Sequence, residues 1–259
     1  MSRYFIKPFI CLALFPVLGM GQDGPIDLQP KDTMEYKDEF GLRAGIDLSK
    51  LVLSFVDEDY TGLELVGDYR LTRKLYLAAE IGNETKTQDE SLNNTILYDF
   101  KTSGSYIKAG VDLNTYENWF GMNNAITLGG RIAVSSFKQT LNNYSLYNSN
   151  HLYQPDFIVG AQPGQEFSGL SAAWLELVVG LKVELIANIY LGMSARMGFL
   201  VSNKEDALFP NLWIPGFNKV TAGSNFGVGY NYSITYFLPL YKKSKNKKEP
   251  EPEADPEQQ

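Results

Sequence analysis

A period of two governs this chain. Between residues 40 and 241, apolar residues alternate with small, polar or charged ones in run after run. Beyond residue 22 no stretch reaches the ~18 consecutive apolar residues that a membrane helix needs. Such alternation sends successive side chains to opposite faces of a strand. The first run sets Leu42, Ala44, Ile46 and Leu48 against Arg43, Gly45 and Asp47, and the second sets Leu63, Leu65, Tyr69 and Leu71 against Glu64, Val66, Asp68 and Arg70. A third opposes Leu75, Leu77, Ala79 and Ile81 to Tyr76, Ala78, Glu80 and Gly82. Five more follow, near residues 103–113, 126–135, 173–185, 189–199 and 225–236. No helical period stands out among them.

A soluble sandwich also alternates, so the content of the second face matters. By parity it carries the cations Arg43, Arg70, Lys108, Arg131, Lys182 and Arg196. With them lie the carboxylates Asp47, Glu64, Asp68, Glu80, Glu84, Asp112, Glu176 and Glu184, interspersed with Gly and Ser. A near-balance of charge on one face suits the polar interior of a narrow barrel, where a buried charge needs a partner. Connections also alternate in length. Those near 53–62, 83–102, 138–170 and 202–223 are long; Thr72-Arg73, residues 114–124 and Ile186-Ala187-Asn188 are shorter. Aromatics gather at run ends, at Tyr60, Tyr69, Trp119, Phe120, Phe199, Tyr236, Phe237 and Tyr241, as in the girdles at a lipid–water boundary. These features predict an all-β chain, an eight-stranded antiparallel up-and-down transmembrane β-barrel of the outer-membrane type, over residues 40–241. The soluble rival is an exported lipocalin-like barrel, whose apolar face would point inward.

The flanks agree with export. Arg3 and Lys7 precede an apolar run from Phe9 to Val17, and small residues end at Gly21, so residues 1–21 read as a signal peptide. An uncleaved anchor is the lesser reading, because the run is short and Pro16 interrupts it. Its removal takes Arg3 and Lys7 with it and moves the formal net charge from −7 to −9, which argues against a nucleic-acid partner. Residues 22–39 read as a flexible leader and residues 242–259 as a disordered Lys/Glu/Pro tail. An even strand count leaves both termini on the short-turn side, which is periplasmic for a protein of the cell outer membrane. The expected surroundings are the lipid bilayer and lipopolysaccharide.

Several stretches carry a resemblance. Gly41-Leu42-Arg43-Ala44-Gly45-Ile46-Asp47-Leu48-Ser49-Lys50, Val66-Gly67-Asp68-Tyr69-Arg70-Leu71, Leu75-Tyr76-Leu77-Ala78-Ala79-Glu80 and the closing Gly227-Val228-Gly229-Tyr230-Asn231-Tyr232 resemble an uncharacterised family of small outer-membrane barrels from Bacteroidota, especially flavobacteria. That resemblance implies location and fold, and membership of an envelope complex; it transfers no catalytic residue.

The chemistry is sparse. One Cys and one His exclude a disulfide framework, a four-cysteine zinc site and any multi-histidine metal cluster. His151 lies in mid-loop, and a rim enzyme acting on lipopolysaccharide would have to use it as its base. Asp57-Glu58-Asp59 read as a charged loop tip, with calcium as the sharper alternative. No catalytic, cofactor or metal residue is assigned. Conduction is excluded by size, since about eight strands leave a lumen that side chains fill. What remains is surface. Leu208, Phe209, Leu212, Trp213, Ile214 and Phe217 form a dense apolar set in loop 202–223. That set either folds over the barrel mouth or meets a protein partner, together with loop 138–170. The leading expectation is a non-enzymatic accessory or scaffold subunit of an envelope complex, with outer-membrane protein assembly or translocation machinery as candidate. A barrel binding lipid or a small hydrophobic ligand is the alternative, and a wide, charge-poor lumen would favour it.

Overall fold

The computed structural model describes residues 37–92, 95–116, 124–144, 161–220 and 223–244. The expected signal peptide, the expected leader up to residue 36, the expected tail from residue 245, His151, Trp119 and Phe120 lie outside the described residues.

Alternation becomes strand wherever parity holds. The elements are β1 (Lys37–Asp47), α1 (Leu48–Val56), β2 (Tyr60–Arg70), β3 (Leu75–Leu92), β4 (Thr95–Asn114), β5 (Ala125–Tyr144), β6 (Gln165–Ile186), β7 (Ile189–Lys204), β8 (Trp213–Ile214), β9 (Asn218–Lys219) and β10 (Phe226–Ser244). Eight of them, β1 to β7 and β10, close an antiparallel barrel in which chain neighbours pair and β1 pairs with β10. The closing register runs from Lys37 opposite Ser244 to Asp47 opposite Ser233. β8 and β9 form a separate two-stranded ribbon.

The apolar face points outward. Ile107, Ile132, Leu175, Val179, Met193 and Val228 are exposed, whereas Arg43, Glu64, Asp68, Glu80, Lys108 and Asp112 are buried. That inversion of the usual soluble arrangement is the signature of a barrel solvated by hydrocarbon, and it disposes of the lipocalin-like alternative. The short turns use local chemistry. At residues 71–74 the Thr72 hydroxyl accepts from the Lys74 and Leu75 amides at 3.3 and 3.0 Å. Between β6 and β7, Ala187 and Asn188 take positive φ (25° and 71°), the backbone of a tight hairpin matched to strand twist.

Three expectations about connections need correction. The supposed loop 83–102 is mostly strand, because β3 and β4 continue pairing as far as Leu92 opposite Thr95. Both ends of 138–170 are likewise strand, since β5 reaches Tyr144 and β6 starts at Gln165. Strands of 18 to 22 residues exceed the ~9–11 that cross a bilayer, so β3 to β6 rise well above the apolar band. The third correction is α1, where a loop starting at residue 53 was expected. Asp47 caps it, its Oδ1 accepting from Ser49 N at 2.7 Å, and the Asp57 amide closes it on Leu53 O at 2.9 Å.

α1 changes the wall. Because β1 stops at Asp47, β2 pairs on that side only from Leu65 to Tyr69, and the Phe226–Tyr232 stretch of β10 pairs only with β7. The helix lies between these two edges and touches both. Its Ser54 hydroxyl accepts from Gly62 N at 2.8 Å and lies 3.3 Å from Gly62 O, so it answers backbone groups that a strand would otherwise have met. Val52, Phe55 and Val56 face outward, Phe55 with 89% of its surface exposed.

Candidate functional site

The lumen is built by inward side chains that meet across the barrel. Near the short-turn rim, Asp68 of β2 receives Arg43 Nε at 2.8 Å and Lys182 Nζ at 2.7 Å. Lys182 also stands 3.7 Å from Asp112, which holds Arg131 through Nη1 at 2.7 Å and Nη2 at 3.0 Å. Arg131 approaches Glu80 at 3.6 Å, and Glu80 binds both Nη atoms of Arg196 at 2.6 and 3.2 Å. Arg196 faces Glu64 at 3.7 Å and Glu176 at 4.0 Å, while Lys108 donates to Glu176 at 2.8 Å. Glu64 also accepts from the Tyr106 hydroxyl at 2.5 Å and from Asn231 Nδ2 at 3.2 Å. Each charge of the ladder has an opposite charge within 4.0 Å, the condition under which burial of ions is tolerable. The ladder leaves a void of about 50 Å³ along Asp68, Asp112, Arg131 and Lys182, room for one or two waters at ~30 Å³ each.

Three of the residues assigned to this network do something else. Asp47 caps α1. Arg70 donates to Glu39 O at 2.8 Å and lies over the Phe40 ring at 5.1 Å, at the short-turn rim. Glu184 accepts from the Tyr190 hydroxyl and the Asn188 amide, each at 3.1 Å. A fourth residue gains importance. Buried Glu84 pairs with Lys50 of α1, accepts from the Tyr60 hydroxyl at 2.9 Å and from Gly216 N at 2.9 Å, so one carboxylate ties helix, wall and loop together.

Above the ladder the interior turns apolar. Phe100, Phe137, Leu141, Phe167, Leu170, Trp174 and Leu200 enclose Phe209, Ile214 and Phe217. The apolar loop was a candidate partner surface, and the structure corrects that: Phe209 and Ile214 have no exposed surface and Phe217 has 4%. Leu212 and Trp213 are half-buried against the same cluster, and Leu208 alone of the six is exposed, at 36%. Phe209 stacks on Phe167 with centroids 5.5 Å apart, and Phe217 meets Trp174 edge-on at 5.6 Å. Backbone groups of this inserted loop are answered by Gln139 of β5. With its amide oriented to satisfy both ends, it donates to Pro210 O at 3.0 Å and accepts from Leu212 N at 3.2 Å. Gly216 sits on the Tyr106 ring at φ +81°, where a Cβ would come within 2.6 Å of the ring.

A larger cavity, about 220 Å³, lies beside the plug. Its floor is Glu64, Lys108, Glu176 and Arg196; its sides are Lys50 and Leu53 of α1, Trp213 and Phe217 of the plug, and the edge of β10. Asp57 also borders it, but its Oδ2 is held by Lys86 Nζ at 2.7 Å and its Oδ1 by Asp59 N at 3.0 Å, an arrangement of a loop tip.

An outward apolar band, an inward charge ladder and an antiparallel closure of eight strands define a barrel of the outer-membrane class. Within that class, the chain matches over residues 1–243 the model of a family described as "Domain of unknown function (DUF6048)", and it belongs to that family. No curated protein matches it in sequence. Solved structures similar to it include Ail, the attachment invasion locus protein of Yersinia pestis, in complex with the heparin analogue sucrose octasulfate. The identity is 12% and the TM-score 0.35, over 79% of this chain and 99% of that one. Another is CarO2 of Acinetobacter baumannii, at 11% identity and TM-score 0.37 over 78% and 99%. CarO of the same organism matches at 8% identity and TM-score 0.36, over 79% and 98%.

Proposed function

We propose that this protein is a non-enzymatic barrel of the cell outer membrane that serves as an accessory or scaffold subunit of an envelope complex. Outer-membrane protein assembly or translocation machinery is the candidate complex. The observation that carries the reading is the double closure of the lumen, by paired charges below and an apolar plug above. Among the described residues a barrel so filled leaves no continuous path for solute, and the carboxylates of its ladder are engaged with cations instead of standing free as acids or bases. The wide, charge-poor lumen that a ligand carrier would favour is replaced by ion pairs. With Phe209, Ile214 and Phe217 turned inward, contact with partners falls to the raised walls of β3 to β6 and to the segments beyond residues 37 and 244. Both chain ends of the barrel leave at the short-turn rim, paired as Lys37 opposite Ser244, which in this reading faces the periplasm. Affinity purification of a tagged copy at native expression, after mild detergent extraction, tests the proposal. A discrete larger assembly is expected, and recovery of a lone monomer overturns it.

A further inference from the structure

We propose that the 220 Å³ cavity is a side port that takes an amphiphile of uncharged head group from the membrane, its hydrocarbon chain lying across the β10 edge that no barrel strand covers. The site is separate from the scaffold reading and does not depend on it.

The argument starts from the wall. Where β1 ends at Asp47, the barrel lacks a strand between β10 and β2 for the length of Phe226–Tyr232. This gap lies within the apolar band, because Phe226, Val228 and Tyr230 on the same stretch are exposed apolar residues and Phe226 pairs with exposed Phe199. The cavity is lined by every residue of β10 from Gly227 to Asn231, not by alternate ones. Gly227, Gly229 and Asn231 belong to the lumen side by parity, and Val228 and Tyr230 to the outside. A space that meets consecutive residues of one strand reaches that strand's edge, since a single face presents only alternate ones. It therefore joins the outer apolar surface to the charged floor.

The lining names the ligand class. At the mouth stand Leu53, Val228 and Tyr230, beside the outward Val52 and Phe55 of α1. Around the lining as a whole, four carboxylates (Asp47, Asp57, Glu64, Glu176) stand against four cations (Lys50, Lys86, Lys108, Arg196), so it carries no net charge. Glu176 Oε2 accepts no hydrogen bond, and Arg196 Nη1 stands 4.0 Å from it. A head group with hydroxyl donors and no charge fits that floor; an anionic or cationic one would leave an unbalanced ion in a poorly solvated place. The volume exceeds the ~150 Å³ of a cavity that admits benzene, enough for a sugar-sized head. Added protein strand is the competing occupant of an open edge. It is disfavoured because this chain already answers both edges, through Ser54 at Gly62 and through Asn218 Nδ2, which donates to Val228 O at 3.1 Å.

The test uses the full chain, isotope-labelled, in amine-oxide micelles, with octyl glucoside as the probe and glucose and octyl sulfate as comparisons. Saturable amide shifts at Gly198, Gly227 and Gly229 are expected, with nuclear Overhauser contacts from sugar protons to the Gly227 and Gly229 amides. Glucose and octyl sulfate are expected to bind at least about tenfold more weakly. Gly229→Phe, which fills the port from a glycine with ordinary backbone, is expected to weaken octyl glucoside by a similar factor. Leu53→Trp, on an exposed helix position, gives the same reading if the first variant does not fold. Shifts that grow linearly without saturating, equal binding by glucose or octyl sulfate, or unchanged binding in a folded variant overturn the proposal. So does a foreign strand along β10, seen as new cross-strand amide contacts in protein drawn from cells.

Discussion

Arg196 stands where three carboxylates of three different strands converge, Glu64 on β2, Glu80 on β3 and Glu176 on β6. Replacing it with Met removes one cation and leaves several buried anions short of a partner. Loss of one member of a buried pair costs about 3–5 kcal/mol, and urea unfolding followed by tryptophan fluorescence is expected to show a loss of that size. Lys138→Met supplies the contrast. Lys138 and Glu166 form an ion pair at 2.9 Å with side chains about half exposed, and an exposed pair contributes within about 1 kcal/mol. The sequence reached Arg196 and Glu80 through parity alone, because each lies opposite outward apolar residues. It did not reach their meeting. They are 116 residues apart, and which rung faces which depends on the stagger of closure, a property of the whole ring and not of any one strand.

Among the elements, α1 carries a helical period that the strand alternation before it conceals. Leu48, Leu51, Val52, Phe55 and Val56 follow the i, i+3, i+4, i+7, i+8 spacing of a helical face. The β1 alternation runs through Leu48, which hid the change of period. Asp47→Ala removes the cap and is expected to cost about 1 kcal/mol, seen as faster amide exchange at Ser49 to Val52 with the barrel amides unchanged. The plug was open to reading in a different way. β5 alternates without a break from Ala125 through Arg131, Ser135, Phe137 and Gln139 to Leu141, every one of them inward. The inward face merely changes from polar to aromatic, and that change marks where the ladder gives way to the plug. Phe209→Ala empties a fully buried site in it. The expected loss is about 3–5 kcal/mol, and limited proteolysis is expected to cut the 205–212 loop while the strands stay intact. Gly169, at φ +72°, explains one irregularity that parity missed: Phe167 and Leu170 both point inward because a bulge lies between them.

The barrel wall is uneven in height, with β1 and β2 of 11 residues each and, across the ring, β5 and β6 of 20 and 22. In planar bilayers the filled interior is expected to give no steady conductance, and a stable open current would contradict the double closure. On intact cells, added protease is expected to spare a tag placed after Gln259 and to release fragments from the tall side, which checks the proposed orientation. Eight strands, their order and the outward band were legible from period and parity; the stature of the wall was not, since polar hairpins outside a membrane resemble loops in composition. The closing contact has a further consequence, for how the molecule is made. β1 finds one of its two neighbours only in β10, the last barrel strand of the chain. Until that strand arrives, the growing sheet has two raw edges, and Glu64 lacks the donor that Asn231 brings from 167 residues away. An interrupted copy is therefore no smaller barrel but an unfinished one, exposed to whatever degrades or sequesters unpaired strands. Completion of this protein is a single late event.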